Sequence, residues 1–209
     1  MLTDIQKEKR RGKFTSSRIT DLMGIKGLGD TGKTYAFELA VEIVEGIDLE
    51  DGFVGFDIIR GNELEPLAFN KFSEIKALEF IEVTKCDFIE LDKTTGSSPD
   101  GLVGEEETLE IKCPRPNKFF RLVADNKIDK CYYDQMQHQM YVTGRKLTHF
   151  FNYIIYNGKP MWHCIEVERN EEHIELMKSR INEAVILRGG FVEAILSNRQ
   201  YSQVTQFAI

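Results

Sequence analysis

Ser97 to Pro114 reads SSPDGLVGEEETLEIKCP, and the fold turns on this stretch. From Thr108 to Cys113 polar and apolar side chains alternate. Strand side chains point to opposite faces in turn, so Leu109, Ile111 and Cys113 share one face and Glu110 and Lys112 the other. Upstream, Asp100-Gly101-Leu102-Val103 is a short run with an apolar end, and Gly104-Glu105-Glu106 has the composition of a turn. The pattern is a tight β-hairpin. With the turn centred on Glu105, Asp100 falls opposite Glu110, and directly opposed β-carbons lie roughly 4.5–5.5 Å apart. Two carboxylates so placed repel unless something positive sits between them, and a divalent cation is the economical answer. Lys112 stands about 6–7 Å further along the same face at about 3.3 Å per residue. From there it reaches a water or phosphate oxygen beside the cation.

Phosphodiester hydrolysis with a hard metal requires this arrangement. Mg²⁺ takes a few carboxylate oxygens and keeps several waters. It lowers the pKa of a bound water and stabilises charge on the phosphate. A lysine beside it orients the attacking water or helps deprotonate it, and offsets charge in the transition state. A bare Asp…Glu-x-Lys also occurs on ordinary solvated hairpins. The longer string, Ser-Pro-Asp-Gly-Leu followed by Glu-Ile-Lys-Cys-Pro, is far rarer.

This string is similar to the PD-(D/E)xK nuclease signature. In detail the chain resembles the lambda-type phage exonucleases of the YqaJ-like viral recombinase group, from Arg10 to Thr143. The resemblance implies an α/β fold, a central mixed β-sheet flanked by helices on a restriction-endonuclease-like core. It implies an exonuclease that degrades one strand of linear double-stranded DNA from its 5′ end and leaves 3′ single-stranded tails for recombination. Mg²⁺ is the implied cofactor, Mn²⁺ a substitute, with two ions per site. Asp100, Glu110 and the Ile111 carbonyl map to metal ligands, and Glu65, in Gly61-Asn-Glu-Leu-Glu65-Pro, completes the second position. Lys112 and Gln135, the first glutamine of a Gln-x-Gln segment, position the water. Arg10, Ser17 and Ser98 map to the terminal 5′-phosphate, and Lys118 or Arg115 to a further phosphate. Glu90 occupies a place where the family can carry another acid. The family also implies a homotrimeric ring around DNA and a single-strand annealing protein as partner. An endonuclease or junction resolvase could use the same cluster. A DNA-end-binding protein without catalysis would be expected to lack the acids.

The 209 residues suit a single domain, with a catalytic core over 10–168 and a helical segment over 170–198. Hydrophobic content of 42% and charged content of 29% are ordinary for a globular chain. No run of about 18 apolar residues is present, so no membrane span is expected. The N-terminus lacks the apolar core of a signal peptide, and cytoplasmic residence is the default. The four cysteines form no CxxC pair, so neither a zinc site nor a disulfide framework is expected, and buried, reduced thiols follow. Net charge is −7, unpromising for DNA binding, but its distribution is uneven. Residues 1–26 hold seven basic side chains against three acidic, and residues 112–130 six against two. A basic working surface on an acidic body is compatible with DNA contact.

Residues 4–11 read as a polar helix. A hydroxyl in Thr15-Ser16-Ser17 can cap a short helix ending near Met23. Gly27-Leu-Gly-Asp-Thr-Gly32-Lys33-Thr34 fits the Walker A pattern letter for letter. The buried strand that should precede it is missing, so a loop between two helices is the expectation, with nucleotide binding as the competitor. Tyr35 to Glu45 is amphipathic, with Phe37, Ala40, Val41 and Val44 inward. An acidic loop over 46–52 follows. Residues 56–79 read as a long helix with Phe69, Phe72, Ile75 and Leu78 on its apolar face, kinked or restarted at Pro66. Two short strands lie within 80–92. Asn117 can cap a helix to Asp125, and Lys130 to Val142 forms another, with Gln135 and Gln139 on one face. His138 reads as a core or surface residue, not a ligand. Strands over 146–156 and 159–168 join at Asn157-Gly158, and Trp162 is assigned to the core. Asn170 caps a last helix with Ile174, Met177, Ile181 and Val185 buried, broken at Gly189-Gly190. No contribution to the site is expected beyond Gly144.

Overall fold

The computed structural model describes residues 4–47, 49 and 55–202, so most of the acidic loop lies outside the described residues. Helix α1 (Asp4–Arg10) leads into β1 (Phe14–Thr15), a 3₁₀ helix (Ser16–Leu22) and α2 (Gly29–Glu45). Helix α3 (Phe56–Ala77) precedes β2 (Val83–Thr84), β3 (Ile89–Glu90), β4 (Thr95–Ser97), β5 (Gly101–Val103) and β6 (Glu107–Lys112). Then come α4 (Pro116–Asp125), α5 (Lys130–Thr143), β7 (Leu147–Tyr156), β8 (Lys159–Glu168) and α6 (Glu171–Ser202).

The main sheet has the order β2-β5-β6-β7-β8, and a small one the order β1-β4-β3. The main sheet is mixed. β6 and β7 run parallel, while β2–β5, β5–β6 and β7–β8 are antiparallel. A parallel neighbour needs a crossover, which α4 and α5 supply. Alternation along β6 and β7 gives each sheet face its own core. Leu109, Ile111, Phe151 and Tyr153 pack with Ala68 and Phe72 of α3. Phe150 on the other face packs with Met136 and Met140 of α5. A third cluster joins Phe14, the 3₁₀ helix, α2 and α6. The expected sheet flanked by helices is therefore present. Among the described residues, no helix is long and apolar enough to cross a membrane.

Several local expectations change. The Walker-like segment has a 3₁₀ helix before it instead of a strand, and α2 already begins at Gly29, so of that segment only Gly27 and Leu28 belong to the connection over 23–28. Gly32 is buried, and a β-carbon there would lie 3.0 Å from both the Asp21 carbonyl oxygen and the Leu28 Cβ. That glycine permits close helix packing, and Lys33 points to Asp30. In α2 the inner face is Tyr35, Ala36, Leu39 and Ala40, whereas Phe37 is exposed and meets Phe191 edge-on. Helix α3 runs unbroken past Pro66, and Leu78 is exposed. Asn117 lies inside α4, because Pro116 takes the first turn and Arg115 the cap. Proline suits that position since its missing N–H has no helical partner. Trp162 is exposed, with the Lys71 ammonium 4.8 Å over its ring. Gly189 and Gly190 lie within α6 without breaking it, and Ala184 is the fully buried member of the stripe beside half-buried Val185. Cys131 and Cys164 are exposed and Cys86 and Cys113 half-buried, all unpaired. The Asn157-Gly158 turn, with φ of 51° and 72°, and the Asn170 cap on the His173 amide at 3.0 Å match the sequence.

Candidate active site

The hairpin pairs Gly101 with Leu109, Leu102 with Thr108 and Val103 with Glu107, so the turn falls on Gly104 to Glu106. Continuing that register by one residue sets Asp100 beside Glu110. Two bonds hold it there. The Asp100 amide donates to the Leu109 carbonyl at 3.0 Å, and the Ile111 amide donates to Asp100 Oδ2 at 2.6 Å. Glu110 is 1% exposed. Its Oε1 receives Lys112 Nζ at 2.5 Å and Gln135 Nε2 at 2.8 Å. Its Oε2 receives Gln139 Nε2 at 2.5 Å. Helical spacing puts Gln135 and Gln139 on one face of α5, which lies over the polar side of β6.

Burial and the neighbouring Glu110 push the Asp100 carboxyl well above its ordinary value, with Lys112 and the Ile111 amide only partly offsetting them. Burial lowers the pKa of the Lys112 ammonium, but Glu110 and Asp100 outweigh it and raise the value on balance. Lys112 in this setting is a proton-bearing donor, suited to orienting and to charge compensation more than to acting as a base.

Glu65, Ile111 and Lys112 line one cavity of 620 Å³, together with Arg60, Arg115, Lys118 and Tyr132. Glu65 is near enough to add to the upward push on Asp100. Among the described residues no group of three or more His, Cys, Asp or Glu is gathered for a metal. The donor set nevertheless fits a hard cation. Two carboxylates share one spot, Asp100 disfavoured as an anion by burial and by the other, and Mg²⁺ commonly takes just one or two carboxylates plus waters. Glu65 stands across the cavity as a further oxygen donor.

At the other end of the site, Arg10 Nη1 donates to Ser98 Oγ at 3.4 Å. Ser17 is exposed and meets Thr15 Oγ1 at 3.3 Å, and Thr15 and Arg10 border the same small recess. Lys118 lies on the main cavity wall. Glu90 is drawn to Lys13 at 3.4 Å, away from the acids.

Sequence reasoning assigned no role to three residues here. Gln139 completes the grip on Glu110, and its spacing from Gln135 was the available signal. Arg60 of α3 donates to the Cys113 and Pro114 carbonyls at 2.6 and 2.9 Å, tying the helix of Glu65 to the strand of Lys112. Tyr132 has the Lys112 ammonium 5.2 Å over its ring, and neither of the last two had a local signal.

Residues 7–146 match the model of the YqaJ-like viral recombinase domain. The chain belongs to that family. No curated protein matches it. Among solved structures, this YqaJ-like protein is similar to an alkaline exonuclease, LHK-Exo, from Laribacter hongkongensis, with 26% identity and a TM-score of 0.83 over 97% of this chain and 100% of the other. LHK-Exo has also been solved in complex with dAMP. A phage-related exonuclease from Haemophilus somnus 129PT shares the fold at 18% identity and a TM-score of 0.70, over 88% of this chain and 96% of that one. Family and likeness together make the YqaJ-like chain a DNA-hydrolysing enzyme.

Proposed function

We propose that the protein is a metal-dependent exonuclease on linear double-stranded DNA, working from the 5′ end and leaving 3′ single-stranded tails for phage-type recombination inside a bacterial host. The observation that carries this reading is the meeting of Asp100, Glu110 and Lys112 on one sheet face, beside a cavity walled by Arg60, Arg115 and Lys118. Asp100, Glu110 and the Ile111 carbonyl would hold Mg²⁺ or Mn²⁺, and Glu65 would complete a second position. Ions held there would activate water and stabilise charge on the scissile phosphate. Lys112 presents a proton to the attacking water or the phosphate oxygen. Gln135, already hydrogen-bonded to Glu110, holds the carboxylate or the water in line. Lys118 offers a cation to the backbone.

Arg10, Ser98 and Ser17 are assigned to the terminal 5′-phosphate. The Arg10–Ser98 contact supports this, because it places a guanidinium and a hydroxyl two residues from Asp100. Arg10→Ala is expected to reduce the preference for 5′-phosphorylated over 5′-hydroxyl ends, measured as the ratio of initial rates. An unchanged ratio removes Arg10 from that role. A trimeric ring and a single-strand annealing partner belong to the same reading, through the family.

The test is linear duplex DNA labelled separately at each 5′ and 3′ end, incubated with protein and Mg²⁺, with supercoiled circular DNA alongside. The 5′ label should be released first and the circle left intact. Nicking of the circle would move the reading to an endonuclease or resolvase, and early loss of the 3′ label would reverse the polarity.

A further inference from the structure

Two Ser-Ser doublets, Ser16-Ser17 and Ser97-Ser98, lie side by side at the end of the small sheet. Strands β1 and β4 run parallel and pair Phe14 with Thr95 and Thr15 with Gly96. Ser16 and Ser97 come next in that register, but the chain turns there into the 3₁₀ helix and the backbone ladder stops. Side chains continue the link. Ser16 Oγ donates to Ser97 Oγ at 2.6 Å. His138 of α5 reaches both strands, with Nδ1 2.7 Å from Ser16 Oγ and Nε2 3.0 Å from Thr95 Oγ1. All four side chains are buried, Ser97 and His138 completely. The second member of each doublet is open to solvent, Ser17 exposed and Ser98 half-buried, and Ser98 Oγ accepts from Arg10 Nη1. A buried polar cluster of this kind adds little net stability, because each bond formed replaces one to water. What it supplies is a fixed geometry. Burial also pushes the imidazole down to about 3, so the ring is neutral and acts on its neighbours by position, not by charge.

We propose that His138 is a positioning residue for the terminal-phosphate pocket. Through Ser16, Ser97 and Thr95 it fixes the separation of Ser17 and Ser98, so that both hydroxyls and the Arg10 guanidinium meet one 5′-phosphate. The proposal rests on the assignment of Arg10, Ser17 and Ser98 to that phosphate, and adds a residue that never touches it. Hydrogen bonds to a charged oxygen are short, and donors must be held to within about 0.5 Å to make them together. Ser17 belongs to the 3₁₀ helix and Ser98 to the link between β4 and β5. Neither stands in the backbone ladder of the small sheet, so nothing in that ladder sets one against the other. Their inner neighbours, Ser16 and Ser97, are set against each other by the 2.6 Å bond and against α5 by His138. The same helix carries Gln135 and Gln139, which grip Glu110. Pocket and cutting site are therefore braced on one element, the pocket by His138 and the metal-side carboxylate by the glutamines on either side of it in sequence.

The test compares linear duplexes that differ only in carrying a 5′-phosphate or a 5′-hydroxyl. Affinity is measured without metal, so that nothing is cut. Wild-type protein should favour the phosphorylated end. His138→Leu should lower that preference about tenfold, the size of one hydrogen bond to a charged group. Ser16→Ala, which breaks the links to both His138 and Ser97, should do the same and serves where His138→Leu does not fold. With Mg²⁺ present, Ser16→Ala should raise KM for phosphorylated ends and leave kcat on 5′-hydroxyl ends at the wild-type value. In an Arg10→Ala background it should change the end preference no further. A lowered melting temperature with the wild-type preference intact would make the cluster a structural joint and overturn the proposal. Equal loss of affinity for both ends would overturn it too. Wild-type protein that binds both ends alike removes the phosphate assignment, and the positioning role with it. A preference that Ser16→Ala abolishes, in a protein that cuts no DNA, keeps the positioning role and removes the exonuclease reading.

Discussion

Gln139 and Lys112 grip the same carboxylate for different ends. Lys112 faces the cavity, and Lys112→Ala is expected to lower kcat by at least about 100-fold, the scale of a lost proton-positioning group, while DNA affinity changes little. Gel-shift binding alongside single-turnover cleavage checks it, and wild-type turnover would take Lys112 out of the chemistry. Gln139 is fully buried, and its own Oε1 has no partner. A partnerless amide oxygen is a stability cost, so something other than packing retains it. Fixing Glu110 Oε2 orients the carboxylate, so that Oε1, which accepts from Lys112 and Gln135, is the oxygen that would turn to a bound cation. Gln139→Leu removes both the bond and the orphaned oxygen. Its melting temperature should hold or rise, while affinity for Mn²⁺, measured by calorimetry on the protein without DNA, should fall about tenfold, as for one charge-assisted hydrogen bond. Unchanged affinity would make Gln139 a packing residue.

At the scale of elements, the site depends on how α2, α3 and α5 are set against strands. Arg60 links α3 to the end of β6, and the two glutamines link α5 to its middle. The start of α2 is set by the absence of a side chain at Gly32. Gly32→Val should cost about 1–3 kcal/mol through overpacking, read as a lowered urea midpoint with little change in the slope. A neutral result would show that the 3₁₀ helix and α2 can separate freely. Such tolerance would undercut the packing explanation for the Walker-like string.

Across the whole molecule, His138 ties three parts together. Its Nε2 lies 3.0 Å from Thr95 Oγ1 of β4, which in turn donates to the Phe14 carbonyl, and its Nδ1 lies 2.7 Å from Ser16 Oγ of the 3₁₀ helix. Burial pushes the imidazole down to about 3. The unfolded chain takes up that proton near the ordinary histidine value of about 6.5. Between those two values the unfolded state binds more protons, so stability is greatest above the higher one and is lost as pH falls toward the lower. The slope from this group is at most about 1.4 kcal/mol per pH unit. Urea unfolding at pH 7 and pH 5 should show wild type losing more stability on acidification than His138→Gln. Equal losses would mean that the histidine is protonated while folded.

The hairpin and the juxtaposition of its two acids and lysine were legible in the sequence because their geometry is local. A period of two along the strand and a short turn place Asp100, Glu110 and Lys112 without reference to anything distant. The helix over 130–143 and the Asn157-Gly158 turn were legible for the same reason, and the resemblance added Glu65 and Gln135. Phe37, Leu78 and Trp162 were misassigned because apolar spacing marks a candidate inner face without saying which neighbour covers it. The unbroken passage through Pro66 and through Gly189-Gly190 likewise reflects contacts that offset a poor local preference. Arg60, Tyr132 and Asn152 had no local signal. An arginine meets a carbonyl 53 residues away, and Asn152 stands beside Lys112 only because β7 pairs with β6. The sequence by itself determined the acids, the lysine and the bend between them, since neighbouring residues obey short-range geometry. Only the tertiary structure decided what surrounds them, since partners across a sheet or a helix packing are chosen by burial, which no single segment contains.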